Sequence, residues 1–271
     1  ALSRRNRRRR QIMDDAPMTL LEVEGLSKSF GGVHAVADVS FSLDAGEMLA
    51  IIGPNGAGKS TCFNMINGQL RPDAGRIVFA GADLTGRAPH EIWRMGVGRT
   101  FQVAAIFSSM SVLENVQLAA LSHEREIYRF WRPVDRYPSE RARDLLAQVG
   151  MSDQADRPCG DLAYGDVKRV ELAIALANEP KLLLMDEPTA GMAPKERIAM
   201  MSLTRDLARR QSIGVLFTEH SMDAVFGFSD RLMVLARGKL IAQGRPDEVR
   251  NDPAARRAYF GSGDISHGSR R

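Results

Sequence analysis

The fold of this chain is decided by the stretch Gly53-Pro54-Asn55-Gly56-Ala57-Gly58-Lys59-Ser60. The apolar run 48–52 before it predicts a short buried strand, and the pattern of 59–66 after it predicts a helix that ends at Asn67-Gly68. A strand, a loop of the form G-x-x-x-x-G-K-[ST] and a helix in this order predict a phosphate-binding loop. Backbone N–H groups and the positive end of the helix dipole would face the anion.

This loop predicts the ligand as well as the fold. Lys59 would reach the β- and γ-phosphates of a nucleotide, and the Ser60 hydroxyl would hold Mg²⁺. The predicted nucleotide-binding residues of this segment are Gly53, Pro54, Asn55, Gly56, Ala57, Gly58, Lys59, Ser60 and Thr61. The chain is therefore predicted to bind a nucleoside triphosphate, ATP, together with Mg²⁺.

Composition is that of an ordinary soluble enzyme. The 271 residues carry a net charge of +4, and no apolar run approaches the roughly 20 residues that span a bilayer. The two cysteines, Cys62 and Cys159, are too far apart in sequence to suggest a disulfide framework or a metal site, which favours a reducing compartment. Arginines at both ends supply the positive charge, and the remainder is slightly acidic. No nucleic-acid partner is predicted.

The arginine-rich start of the sequence has two interpretations. Residues 1–17 carry six arginines before the first strand-like pattern, and they are predicted to be a disordered basic tail. The alternative is a polybasic patch on anionic lipid, where each arginine contributes on the order of 1 kcal/mol. Residues 262–271 are predicted to be a polar tail.

Periodicity predicts an α/β protein with a mostly parallel sheet. Strands are predicted over 20–26, 39–43, 76–79, 181–185 and 213–218, with a hairpin at Arg237-Gly238. Helices are predicted over 139–149, 167–178 and 194–210, and another after a capping box of Ser111 and Glu114. The charged segment 124–137 is predicted to be a surface excursion. The fold class is a P-loop NTPase core (RecA-like) with an antiparallel β-subdomain and an inserted α-helical subdomain.

Polar residues follow two of the predicted strands. The run Leu182 to Met185 ends in Asp186 and Glu187, and the strand 213–217 ends in Thr218-Glu219-His220. Carboxyl ends of parallel strands face the crevice where nucleotides bind in open sheets. Asp186 is therefore predicted to hold the Mg²⁺ shell, Glu187 to polarise the attacking water, and His220 to lie at the same edge.

With these motifs in order, the chain resembles the nucleotide-binding subunit of an ABC transporter over residues 18–261. The resemblance implies that Phe30 stacks on adenine, that Gln102 in Arg99-Thr100-Phe101-Gln102 joins the Mg²⁺ and water site to a helical subdomain at about 105–165, and that His220 is the switch histidine. The segment 190–193 falls at the D-loop. The signature sequence falls at Leu162, Ala163, Tyr164, Gly165 and Asp166.

Within this superfamily the chain is most similar to the ATPase of branched-chain amino-acid importers. The stretches RTFQ…SVLENV, LAYGD, DEPTAGMAP and PDEVRNDPAARRAYFG carry that similarity. It implies ATP hydrolysis coupled to uptake of a branched-chain amino acid or a related amide or urea. It also implies two membrane permease subunits, a second ATPase subunit, a periplasmic binding protein, and a peripheral position at the cytoplasmic face of the inner membrane.

The signature departs from the usual L-S-G-G-Q. Ala163 lacks the serine hydroxyl, and Asp166 replaces glutamine. In this family two subunits meet head to tail, and each signature closes on the partner's ATP. A heterodimer is therefore predicted, in which this chain's signature is the weaker clamp. The apolar run 103–107 is predicted either to contact a coupling helix of the permease or to pack on the following helix.

Two other functions remain open on the sequence. The ATPase of a lipid-type exporter has the same size and chemistry, and a regulatory ABC ATPase moves no solute. Regulatory relatives generally carry long coiled-coil insertions or two ATPase units, and this sequence has neither.

Overall fold

A computed structural model describes residues 19–100, 106–123 and 139–260. Several sequence predictions lie outside the described residues: both tails, Gln102, the first part of the apolar run 103–107, and the charged segment 124–137.

The strands form two sheets. They are β1 (Thr19–Phe30), β2 (Val33–Asp44), β3 (Met48–Ile52), β4 (Ala74–Phe79), β5 (Ala82–Asp83), β6 (Val97–Thr100), β7 (Leu182–Asp186), β8 (Gly214–Thr218), β9 (Arg231–Ala236) and β10 (Lys239–Gly244). One sheet is antiparallel with the order β2-β1-β4-β5. The other has the order β10-β9-β3-β8-β7-β6, and only the edge strand β10 is antiparallel to its neighbour. The predicted fold class is confirmed.

The helices connect and cover these strands. They are α1 (Lys59–Ile66), α2 (Pro89–Arg94), α3 (Val112–His123), α4 (Glu140–Gln148), α5 (Tyr164–Leu176), α6 (Pro194–Gln211), α7 (Met222–Phe228), α8 (Pro246–Asn251) and α9 (Pro253–Ala255). Short 3₁₀ turns lie at Ser152–Gln154 and Cys159–Asp161, and a π-helical turn lies at Arg256–Phe260. The predicted bounds of β3 and α1 are confirmed. The sequence analysis did not predict α2, α7, α8 or α9.

The predicted extents of three elements were wrong. Strands β1 and β2 have 12 residues each, because register shifts between them let pairing continue where the alternation of side chains is broken. Helix α5 begins at Tyr164 and not at residue 167. A glycine and an aspartate looked like loop residues, but the first turn of a helix tolerates both, since its N–H groups have no intrahelical partner.

The six-stranded sheet is buried on both faces. Successive residues of β3 belong to different hydrophobic clusters: Leu49 and Ile51 pack with α1 and the antiparallel sheet, and Ala50 and Ile52 pack with α3 to α7. This explains why β3 is a continuous apolar run. The carboxyl ends of β3, β7 and β8 consequently lie side by side at one edge, above a core that holds them rigid.

The capping box predicted for Ser111 and Glu114 is present at the start of α3. Ser111 N–H donates to Glu114 at 2.7 Å, and Glu114 N–H donates to the Ser111 hydroxyl at 3.2 Å. These bonds lower the pKa of Glu114. Gly150 follows α4 with a φ of 70°. Among the described residues, no helix has the length and apolar character needed to cross a bilayer.

Candidate active site

The phosphate loop occupies the turn between β3 and α1. Gly53 and Gly58 have φ values of 153° and 105°, and a Cβ at these positions would lie 2.1 Å from the Leu235 carbonyl oxygen and 2.3 Å from that of Ala35. Both positions therefore require glycine for conformation and for space. Gly58 is also the residue from which α1 starts.

Lys59 is held over this loop. Its Nζ donates to the carbonyl oxygens of Gly53 at 2.7 Å and Pro54 at 3.2 Å, and the residue is 8% exposed. Burial lowers the pKa of Lys59, while the charges of Glu187 and Asp186 oppose that shift. The charges of Asp186, the last residue of β7, and of Glu187, which follows it, therefore act on the lysine of the phosphate loop.

The two acids have different partners. Asp186 Oδ1 accepts from the Thr218 hydroxyl at 2.6 Å, and its other oxygen lies 3.9 Å from Arg99 Nη2. Glu187 Oε1 lies 2.8 Å from His220 Nε2. This contact lies at the ends of β7 and β8, whose last residues, Asp186 and Thr218, are paired in register. The sequence analysis placed Glu187 and His220 at this edge but did not predict that they would be in contact.

Glu187 adopts an unusual backbone conformation. Its φ is 49°, which a non-glycine residue adopts only where its surroundings hold it. Its N–H group donates to the Thr218 carbonyl at 3.1 Å and lies 3.0 Å from the Thr218 hydroxyl. The turn presents the Glu187 carboxylate to the sheet edge, where the residue is partly exposed.

The sequence analysis gave no role to three residues that lie near Asp186 or His220: Glu219, Thr189 and Arg99. Glu219 is buried and accepts hydrogen bonds from Thr189 and from the His220 N–H. Arg99 Nη1 donates to Asn64 Oδ1 at 3.0 Å and to Gln69 Oε1 at 2.9 Å while Nη2 faces Asp186. Their only signal in the sequence was position, at or just beyond a strand end.

Phe30 lies at the tip of the hairpin between β1 and β2. It pairs with Val33, is 48% exposed, and its ring centroid is 5.8 Å from Lys28 Nζ. The same hairpin reaches the phosphate loop through Ala35, whose carbonyl lies against Gly58. The exposure of the ring argues against a role in the hydrophobic core.

The signature residues start helix α5. Ala163 is the N-cap in extended conformation, and Tyr164, Gly165 and Asp166 form the first turn. Tyr164 is 50% exposed and its ring lies where a Cβ on Gly191 would meet it at 3.4 Å. Within the described residues, no hydrogen bond or ion pair joins these residues to the loop 53–60 of the same chain. This segment is presented outward.

Comparison with known proteins agrees with this geometry. The family model described as ABC transporter matches residues 36–190, and that of the branched-chain amino acid ATP-binding cassette transporter matches residues 239–265. The high-affinity branched-chain amino acid transport ATP-binding protein LivG of Escherichia coli (strain K12) is 38% identical over 251 residues, which are 89% of this chain and 98% of LivG. Its counterpart BraF of Pseudomonas aeruginosa is 36% identical over 249 residues, which are 89% of this chain and 98% of BraF.

Solved structures show the same relationship. The ADP conformation of an ATP-binding cassette of an ABC transporter matches with a TM-score of 0.81 at 36% identity, over 90% of this chain and 99% of that one. A nucleotide-free ATP-binding cassette matches with a TM-score of 0.79 at 34% identity, over 90% of this chain and 100% of that one. The resemblance drawn from the motifs is confirmed. The chain belongs to the ATP-binding subunits of ABC transporters.

Proposed function

We propose that this chain hydrolyses ATP in an ABC importer of small polar solutes, and that the Glu187–His220 pair performs the hydrolysis. The observation that carries the proposal is the 2.8 Å contact between these two side chains at the edge where the phosphate loop also lies. A carboxylate placed there can accept the proton of an attacking water, and the imidazole can orient that carboxylate and the γ-phosphate.

The remaining residues of the site bind the substrate. The N–H groups of the loop 53–60 and the N-terminus of α1 bind the phosphates, and Lys59 supplies the positive charge. The exposed Phe30 ring stacks on adenine, because a π-face at a hairpin tip can accept a base without rearranging the core. From the family resemblance we propose that Gln102, which lies outside the described residues, also belongs to this site.

The side chains at this edge also fit Mg²⁺. Ser60 and Asp186 offer a hydroxyl and a carboxylate, and a hard cation that keeps several waters prefers one or two such oxygen ligands plus substrate phosphates. One oxygen of Asp186 accepts from Thr218, and the other lies 3.9 Å from Arg99 Nη2, beyond hydrogen-bond distance, so this second oxygen can still face the ion. The ion would neutralise charge on the phosphates.

The signature serves the ATP of a second subunit. Ala163 to Asp166 begin a helix of 13 residues with outward-facing N–H groups, and the positive end of its dipole attracts a phosphate. Because Ala163 brings no hydroxyl, we propose that the second subunit is a different ATPase and that the two ATP sites of this heterodimer differ.

A groove beside β6 suits a membrane permease. It has a volume of about 370 Å³ and lies among α2, β6 and α5, where Pro89, Trp93 and Ile174 line it. Phe107, at the end of the apolar run 103–107, is also exposed. We propose that a short helix of one of the two permease subunits docks in this groove, which places the chain at the cytoplasmic face of the inner membrane.

The solute is inferred from the relatives. LivG and BraF are named for branched-chain amino acid transport, and the C-terminal family match at 239–265 points the same way. We propose leucine, isoleucine or valine, delivered to the permease by a periplasmic binding protein.

Reconstitution tests these assignments separately. The chain is purified together with the two permeases, the second ATPase and the binding protein of the proposed complex, and the complex is placed in liposomes. Uptake of labelled leucine should require ATP and stop in the Glu187→Gln complex. ATP-driven turnover without uptake of any branched-chain amino acid would contradict the solute. Full, cooperative turnover with this chain as the sole ATPase would contradict the heterodimer.

A further inference from the structure

Glu219 is a buried carboxylate between the last residue of β8 and His220. It is 4% exposed, and its partner Thr189 is 1% exposed. A carboxylate is almost never buried to this degree unless hydrogen bonds compensate the loss of water.

Hydrogen bonds satisfy both oxygens of Glu219. Oε1 accepts from the Thr189 N–H at 2.8 Å and from the Thr189 hydroxyl, and Oε2 accepts from the His220 N–H at 3.1 Å. The two N–H groups can only donate, so each oxygen of Glu219 serves as an acceptor.

The donors come from two different loops. Thr189 lies two residues after Glu187 in the loop that follows β7, and His220 follows β8. The carboxylate therefore joins the segment that carries the catalytic acid to the segment that carries its histidine partner.

A second contact strengthens the same junction. Arg197 of α6 donates from Nη1 to the Ser221 hydroxyl at 2.7 Å and from Nη2 to the Met192 carbonyl at 3.4 Å. Met192 N–H in turn donates to the Thr189 carbonyl. Both chain neighbours of His220 are thus bonded to the segment 189–197, whereas the His220 side chain is 49% exposed and contacts Glu187.

We propose that Glu219 is a positioning residue for hydrolysis: it fixes the loop of Glu187 to the backbone of His220 so that the two side chains keep their 2.8 Å contact. This inference rests on the proposed role of Glu187.

Glu219→Gln is the most selective test. The amide has nearly the same volume, but its NH₂ group must face one of the two donor sets, so one link breaks without leaving a cavity. Displacement of catalytic groups by a fraction of an ångström lowers turnover by about 10- to 100-fold. We expect kcat to fall by that factor while ATP affinity and KM stay at the parental values.

Thr189 supplies a matched pair. Thr189→Val removes the hydroxyl donor and keeps the shape, and Thr189→Ser keeps the donor. We expect Thr189→Val to lower kcat in the same direction as Glu219→Gln and Thr189→Ser to restore it. Thr204→Val is the control, because Thr204 is equally buried and bonded to the Met200 carbonyl within α6. Its turnover should equal that of the parent.

The experiment uses the complete transporter complex and measures ATP binding, kcat, KM and the melting temperature of each variant. Parental kcat in Glu219→Gln, or equal loss in Thr189→Ser and Thr189→Val, overturns the inference. Loss of ATP affinity in step with kcat would indicate a structural role and also overturn it. If Glu187→Gln in the same complex keeps its turnover, the proposed function has failed, which is a separate outcome.

Discussion

Two helices of this protein begin at positions suited to phosphate, and they are built differently. Helix α1 starts from Gly58, which has a left-handed φ of 105°, and it carries no acid in its first turn. Helix α5 starts from Ala163 in extended conformation and carries Asp166 in its first turn. Both offer N–H groups and a positive dipole end, yet only the first lies beside the proposed catalytic pair and the predicted metal ligands.

The lysine of α5 does not replace Lys59. Lys168 is buried against Glu171, with 2.9 Å between Nζ and Oε2, and burial raises the pKa of Glu171 while Lys168 opposes that rise. Its Nζ also lies 5.5 Å from the Tyr164 ring centroid. The comparison indicates that a helix N-terminus by itself offers a general anion site. In the proposed dimer, the neighbouring side chains decide whether the phosphate comes from the ATP of the same chain or from that of the second subunit.

The largest effect is expected from removing the proposed catalytic carboxylate, Glu187, which lies beside α1 and not beside α5. Glu187→Gln should leave ATP binding intact, because the phosphate loop is unchanged, and should lower turnover by about 10²–10⁴-fold. ATP affinity and phosphate release are measured on the purified complex. Glu22→Gln, an exposed site on β1, is the control. Near-parental turnover of Glu187→Gln would mean that the chemistry lies elsewhere.

The signature side is tested by a pair of substitutions. At Gly165 a Cβ would lie 3.5 Å from the Glu196 carboxyl carbon, so Gly165→Asp sets a new charge against Glu196 and against the partner's phosphate. We expect about a 10²-fold loss of ATPase activity in the complex, since juxtaposed like charges cost several kcal/mol.

Ala163→Ser changes the same surface in the opposite sense. The added hydroxyl should tighten the partner's ATP site by less than about 1.5 kcal/mol, because the helix N-terminus already stabilises the anion. If Gly165→Asp keeps most of the activity, α5 does not face a phosphate. In that case α1 is the only one of the two helices that binds one.

Phe30 tests whether the ATP bound by this chain's own phosphate loop also stacks on an aromatic ring. Phe30→Ala should weaken nucleotide affinity by about 1–3 kcal/mol and leave maximal turnover unchanged, whereas Phe30→Tyr should bind like the parent. Titration with a fluorescent ATP analogue measures this. Because the ring is exposed, the melting temperature should not change. Equal affinities of Phe30→Ala and the parent would remove Phe30 from the site.

Asp166 provides the smallest expected effect. Asp166→Asn removes a negative charge from the first turn of α5, which should weaken the helix by about 0.3–1 kcal/mol and favour a phosphate there by a similar amount. Thermal unfolding of the chain and ATP affinity of the complex should thus move in opposite directions, and both shifts should shrink at high salt. Shifts in the same direction would argue against a phosphate at this helix.

Local patterns were enough for the phosphate loop. An apolar run, three glycines and a helical period determined β3 and α1 to the residue, because each depends on neighbours in sequence. The capping box at Ser111 could be predicted from the sequence in the same way. The order of the motifs along the chain identified the family. The start of α5 was misplaced, since Gly165 and Asp166 suit a loop and a first helical turn alike.

Only the tertiary structure decided which side chains meet. Glu219 and Thr189 are 30 residues apart, and Arg99 and Asp186 lie on different strands. The local sequence does not distinguish the buried Glu219 from the partly exposed Glu187, because each is an acid that directly follows a strand. The strand order places β7 between β6 and β8 and the loops then bring these groups together, because burial and hydrogen bonding depend on packing between distant segments of the chain.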